Sequence, residues 1–185
     1  IQVELANNPI RTINSPICLF GFRKQNRIAF SNQQFDLVFF SFNGIDCVDY
    51  EGRKQILLEF NRVLKPNGIL LFSFHNVRNL HRLYSFQMPR SPFKIPWELN
   101  RMKMLRKING PAKKYENKEI FSMYDGADHF HTEIFYLLPE RQLQDLHSTG
   151  FEMVQWWDMK SGKIISTDQL VHTTIPWIFV QARKI

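Results

Sequence analysis

Apolar residues fall along this chain in two rhythms. From Phe35 to Phe42 (Phe-Asp-Leu-Val-Phe-Phe-Ser-Phe) they are nearly continuous. The run is short for a helix and rich in aromatics, which predicts a strand buried on both faces. Asn43-Gly44 breaks it. From about Gly52 to Lys65 the spacing changes, and Ile56, Leu57, Phe60, Val63 and Leu64 make one helical stripe. Lys65-Pro66-Asn67-Gly68 ends that helix, because proline cannot continue it and glycine permits positive φ. Ile69 to Phe74 is a second buried strand. Strand, helix and strand in this order form a βαβ unit with a right-handed crossover.

Beyond residue 130 the pattern resumes. His131 to Leu138 reads as a strand, and Pro139 suits the first turn of a helix, where its missing N–H costs nothing. The helix Glu140 to Ser148 turns Leu143 and Leu146 inward and stops at Gly150. Phe151 to Trp157 and Trp177 to Ala182 are two further strands, joined by a polar loop containing Gly162. Before residue 35 the pattern gives the end of a helix, Val3 to Asn7, and a short strand, Pro16 to Phe20. Val77 to Ile120 differs, with Pro89, Pro92, Pro96, Pro111 and one predicted helix, Trp97 to Ile108. An insertion this long inside an α/β domain is more often a lid than a plain connection.

Charge sharpens that contrast. Between Arg78 and Lys118 stand eleven Lys and Arg against Glu98 and Glu116, a local excess of nine positive charges. The remaining 13 basic and 15 acidic residues nearly cancel, so the formal +7 of the chain comes from this one segment. The residue balance is that of a globular domain, with 44% hydrophobic and 22% charged residues among 185. No apolar run is long enough to span a bilayer. Cys18 and Cys47 have neither metal-ligand spacing nor a disulfide framework, which suits a reducing, cytoplasmic setting. The chain opens on Ile1 rather than Met, so we expect preceding residues to be missing.

Candidate chemistry gathers where the two buried strands end. In open α/β sheets, ligands bind at the carboxyl ends of parallel strands. One end reads Ser41-Phe42-Asn43-Gly44-Ile45-Asp46 and the other Ser73-Phe74-His75-Asn76. Asn43-Gly44 alone is also a simple turn, and His75 alone also an interior histidine. Together Asn43, Asp46, His75 and Asn76 offer more hydrogen-bonding capacity than two turns require, and we read them as a site. His129-x-His131 beside Asp125 and Asp128 lacks a metal-binding pattern and reads as a polar approach to a strand. Trp156, Trp157 and Trp177 read as core and edge packing.

The run F-D-L-V-F-F-S-F-N-G-I-D, the helix ending R-V-L-K-P-N-G, and I-L-L-F-S-F-H-N resemble the fourth strand, fourth helix and fifth strand of class I S-adenosylmethionine-dependent methyltransferases. The strong resemblance covers about forty residues, and a weaker one continues from Pro139 to the final strands, which are similar to the antiparallel hairpin closing such sheets. It implies a single Rossmann-like α/β domain over residues 1–185. Its seven-stranded, mostly parallel sheet would have helices on both faces, and 77–120 would be a basic lid. It implies S-adenosylmethionine as cofactor, with Ser41, Phe42 and Asn43 near it. Asp46, His75 and Asn76 would face the substrate, with His75 as proton acceptor.

The chain also departs from the family. No glycine-rich turn after a first strand is present, nor the Gly-Asp that commonly ends the third; Gly21 is followed by Phe22, an aromatic able to stack on adenine. The domain as given is therefore expected to be incomplete at its N-terminal side, since the first buried strand would otherwise show an unpaired edge. The reading that follows is methyl transfer to a small-molecule acceptor. Two rivals stay open. One is a non-catalytic module on the same scaffold. The other is a nucleic-acid methyltransferase, or contact with another anionic surface, through 78–118. Asn43-Gly44 is not the Asn/Asp-Pro-Pro-aromatic signature of amino-methylating nucleic-acid enzymes.

Overall fold

The structure, a computed structural model, describes residues 30–40 and 43–185. The expected helix and strand before residue 21, and Gly21, Phe22, Ser41 and Phe42, lie outside the described residues.

The βαβ unit is present. Strand β1 (Phe35–Phe40) leads into helix α1 (Tyr50–Val63), which leads into β2 (Leu64–Asn76). Asp49 caps α1 by accepting from the Gly52 backbone N–H at 2.8 Å. The stripe Ile56, Leu57, Phe60 and Val63 is buried against the sheet. Burial of one such side chain contributes about 1.5–3 kcal/mol. The helix stops as expected, but β2 begins immediately after it, with Asn67 in a left-handed conformation (φ 61°) and an irregularity in the β1 pairing between Phe35 and Leu37. Turn chemistry at Pro66-Asn67 therefore interrupts the ladder without ending the strand.

After β2 come α2 (Leu80–Tyr84), α3 (Ile95–Asn109), β3 (Ile120–Met123) and β4 (Ile134–Leu137). Then follow α4 (Pro139–Ser148), β5 (Phe151–Asp158), β6 (Ile164–Ile165), α5 (Thr167–Leu170) and β7 (Trp177–Lys184). The sheet is mixed. β1 and β4 run parallel to β2, β7 lies antiparallel between β2 and β5, and β3 and β6 take the outer positions. Leu70, Phe72 and Phe74 of β2 and Ile178, Val180 and Ala182 of β7 are fully buried at its centre. A second, smaller core joins the inserted segment to β3 and β4 through Val77, Leu80, Tyr84, Leu105, Tyr115, Phe121 and Tyr136.

The strand expected from His131 starts only at Ile134. Asp128, His129 and Phe130 take three consecutive left-handed conformations (φ 46°, 54° and 67°) and hold the preceding residues in a turn. Pro139 opens α4 as expected, and Gly150 (φ 83°) follows its end, where an added Cβ would sit 2.8 Å from Asn61 Nδ2. Among the described residues, no helix is long and apolar enough to cross a membrane.

The site is positioned by one detail of register. β1 and β4 share the same edge of β2: among the described residues β1 pairs with it up to Phe40↔Phe72, and β4 pairs at His75↔Tyr136 and Asn76↔Leu137. Ser73 and Phe74 lie between these two pairings. A short 3₁₀ turn, Gly44–Cys47, packs against β2 there.

Candidate active site

Asn43 begins that turn in a left-handed conformation (φ 52°), which asparagine tolerates better than most residues. Its backbone N–H donates to Ser73 Oγ at 3.2 Å, which ties the turn to β2. Gly44 must be small, because a Cβ there would stand 2.8 Å from the Phe40 ring. Asn43 Oδ1 is buried and has no hydrogen-bond partner among the described residues. An unmatched buried acceptor costs about 1–3 kcal/mol. A ligand N–H or O–H would remove that cost.

The turn carries Asp46 to His75. Asp46 is 1% exposed, and its Oδ2 accepts from the His75 backbone N–H and from the ring Nδ1, both at 2.7 Å. Its Oδ1 pairs with Arg53, which is also 1% exposed. The Arg53 guanidinium further donates to Ile45 O (3.2 Å) and Gln142 Oε1 (2.6 Å), and lies over the Phe135 ring at 5.5 Å. One buried cation and one buried anion thus compensate each other inside a hydrogen-bonded network, the arrangement in which such charges are tolerated.

This contact selects the tautomer of a neutral His75. A carboxylate only accepts, so Nδ1 carries the proton, and in the neutral ring Nε2 is the acceptor. No hydrogen bond to Nε2 is made among the described residues. Aromatic rings flank the imidazole, Tyr136 at 5.1 Å and Trp177 edge-on at 6.0 Å. Trp177 remains 43% exposed. The Tyr136 hydroxyl donates to Asp125 Oδ2 at 2.6 Å. Burial, then the charge and hydrogen bond of Asp125, hold that hydroxyl well above its ordinary pKa, so it stays protonated. Burial and the charges of Asp46 and Asp125 also push the Cys47 thiol up, which leaves it a poor nucleophile at neutral pH.

Asp46 and His75 are therefore brought into direct contact, and Asn43 joins them through its backbone. Asn76 is turned elsewhere. It is fully buried, donates to Thr173 O (2.9 Å) and Ile175 O (3.1 Å), and accepts from Arg78 N–H (3.0 Å). Its amide fastens the chain that enters β7. Among the described residues His129 and His131 make no hydrogen bond or ring contact with His75, and no group of three metal-ligating side chains occurs.

Sequence reasoning missed Arg53, Gln142, Tyr136 and Trp177 as neighbours of this site. Arg53 had a signal: it stands three and four residues before Ile56 and Leu57, on the apolar stripe of α1. A charge on a buried stripe requires a buried partner. Gln142 sits in the same way, four residues before Leu146.

Residues 16–72 match the model of a family described as a methyltransferase domain. No curated protein matches the sequence. Among solved structures the chain is similar to an S-adenosylmethionine-dependent methyltransferase from Methanosarcina mazei, with 15% identity, TM-score 0.50 and coverage of 86% of this chain and 64% of that one. It is similar to the CcbJ methyltransferase of Streptomyces caelestis, with 12% identity, TM-score 0.54 and coverage of 86% and 61%. A methyltransferase from Mesorhizobium loti gives 14% identity, TM-score 0.54 and coverage of 86% and 66%. The chain spans less than two thirds of the length of each of these proteins.

Proposed function

We propose that this chain, which has the Rossmann-like fold of S-adenosylmethionine-dependent methyltransferases, belongs to an enzyme that methylates a small-molecule acceptor. The observation that carries the reading is the Asp46–His75 pair at the carboxyl ends of two parallel strands, on a turn that begins with the unmatched Asn43 Oδ1.

When bound, S-adenosylmethionine supplies a methyl group already activated by its sulfonium and leaves as a neutral thioether. Asn43, with Ser41 and Phe42 before it and Gly21 and Phe22 further upstream, is the set we assign to holding it. The remaining chemistry is alignment and proton removal. His75 Nε2 takes the proton of the acceptor's attacking O–H or N–H as the new bond to the methyl carbon forms. Asp46 keeps Nδ1–H in place and steadies the imidazolium that results, with Arg53 holding the carboxylate from behind. Asn76 positions the loop behind His75 rather than touching the acceptor. Trp177 gives an apolar or planar acceptor a wall beside the imidazole, and we assign the segment 77–120 to covering it.

The test is transfer of labelled methyl from S-adenosylmethionine to a panel of small amines, phenols and carboxylates by the full-length protein. His75→Ala is expected to lower turnover by about 10²–10⁴-fold while the far-ultraviolet spectrum is unchanged. Unaltered turnover in that variant removes His75 from the reaction.

A further inference from the structure

The inserted segment carries a surface that the site at the strand ends does not use. At the turn before α3 and at the start of that helix, Phe93 is 93% exposed, Met88 78% and Trp97 64%. The inward face of α3 is settled: Glu98, Leu105 and Asn109 are buried. At 3.6 residues per turn, Pro96, Lys103 and Lys107 then stand on the opposite face with Trp97 at its border. Arg90, Lys94, Lys103 and Lys107 are all exposed. None has an acidic partner among the described residues, where the segment's cations pair only as Arg78–Glu140 and Arg101–Glu98. Glu98, the acid nearest this face in sequence, is turned inward and spent on Arg101 and on the Gln87 backbone N–H. Asp125 lines a cavity with Trp97 and Arg101, but among the described residues it makes no ion pair with any of these four cations.

Apolar side chains standing free in water and uncompensated cations beside them ask for one kind of partner. An anionic bilayer satisfies both at once. Its headgroup and acyl boundary accepts Phe93, Met88 and Trp97, and its phosphates meet the lysines and arginines. A nucleic acid would satisfy the cations and could stack on an aromatic ring, but it offers nothing to Met88. We propose that the face formed by 86–97 and the outer side of α3 docks on an acidic phospholipid surface. The face lies on the outside of the segment assigned to covering the acceptor and includes neither Asp46 nor His75, so vesicle binding and methyl transfer are read separately.

Sedimentation of the full-length protein with phosphatidylcholine vesicles, with and without phosphatidylglycerol, tests this directly. Binding is expected only with the acidic lipid and should weaken as salt is raised. The double variant Lys103→Ala/Lys107→Ala should lower partitioning about 25-fold, about fivefold for each cation. Phe93→Ala/Trp97→Ala should lower it by at least about tenfold, with little change in folding because both side chains are exposed. Failure to bind acidic vesicles overturns the proposal. So does binding indifferent to Phe93 and Trp97. Tighter binding to a single-stranded oligonucleotide, lost with the lysines but untouched by the aromatic pair, would assign the face to nucleic acid instead.

Discussion

Replacing either member of the Asp46–Arg53 pair isolates the other as a buried, uncompensated charge. Both side chains are 1% exposed, so water cannot take over for the missing partner. Breaking such a pair costs about 3–5 kcal/mol. The geometry places both single variants at the low end. In Asp46→Asn the guanidinium keeps Ile45 O and Gln142 Oε1 as acceptors. In Arg53→Met the carboxylate keeps two donors from His75. Each single variant is therefore expected to lose about 3 kcal/mol. The double variant leaves no buried charge. Its remaining losses are the orphaned Gln142 oxygen and a weaker bond to His75, together about 3 kcal/mol. Independent effects would sum to about 6 kcal/mol, so the expected coupling is about 3 kcal/mol. Urea unfolding followed by circular dichroism, with the denaturant slope checked in each variant, measures this cycle. Additive losses would show that the two charges do not compensate each other. Single variants within about 0.5 kcal/mol of the parent, the range of ordinary surface changes, would show that the network is open to solvent.

Three further outcomes follow from the same contacts. Tyr136→Phe removes the donor that Asp125 receives at 2.6 Å and should cost about 1–3 kcal/mol in chemical denaturation; no loss would mean that water reaches Asp125. Gly150→Ala should cost more than about 1 kcal/mol, because it adds a Cβ clash with Asn61 to an unfavourable φ of 83°. A neutral result would show that the end of α4 relaxes. Glu98 is held below its usual pKa of 4.5, chiefly by hydrogen bonds from Arg101, against burial and with help from the Gln87 N–H. A lowered folded-state pKa stabilises the fold above the unfolded value, and that contribution is lost as the pH falls through the folded value. Glu98→Gln should therefore flatten stability against pH below about 4.5, and an unchanged acid limb would refute the linkage.

The sheet centre was legible because its residues obey one rule each. Phe35 to Phe40 and Ile69 to Phe74 are nearly continuous apolar runs, with Val38, Phe40, Leu70, Phe72 and Phe74 buried and Leu37, Phe39, Ile69 and Leu71 half-buried on the other face. Ile56, Leu57, Phe60 and Val63 keep helical spacing. The short strands were not. Ile120–Met123 and Ile164–Ile165 are too brief for any alternation to stand out, and they exist because a neighbouring strand offers an edge. The overlong reading at His131 had a similar cause, since nothing local in Asp128-His129-Phe130 announces three left-handed residues. At the site, polarity at two strand ends pointed to Asp46 and His75, which do meet. The same polarity in Asn76 serves the chain before β7, a distinction that depends on residues nearly a hundred positions away. Arg53 was visible as a charge on an apolar stripe, but its partner was not.

The central claim is that the turn at Asn43 and the Asp46–His75 pair serve an S-adenosylmethionine site. Calorimetric titration of the full-length protein with S-adenosylmethionine tests it most directly, beside the variant Asn43→Gly, which deletes the unmatched amide but suits the positive φ. Saturable binding, weakened about threefold to tenfold in the variant as one lost hydrogen bond requires, is the expected result. No detectable binding by the full-length protein would contradict the account, and undiminished binding by Asn43→Gly would take the cofactor away from this turn.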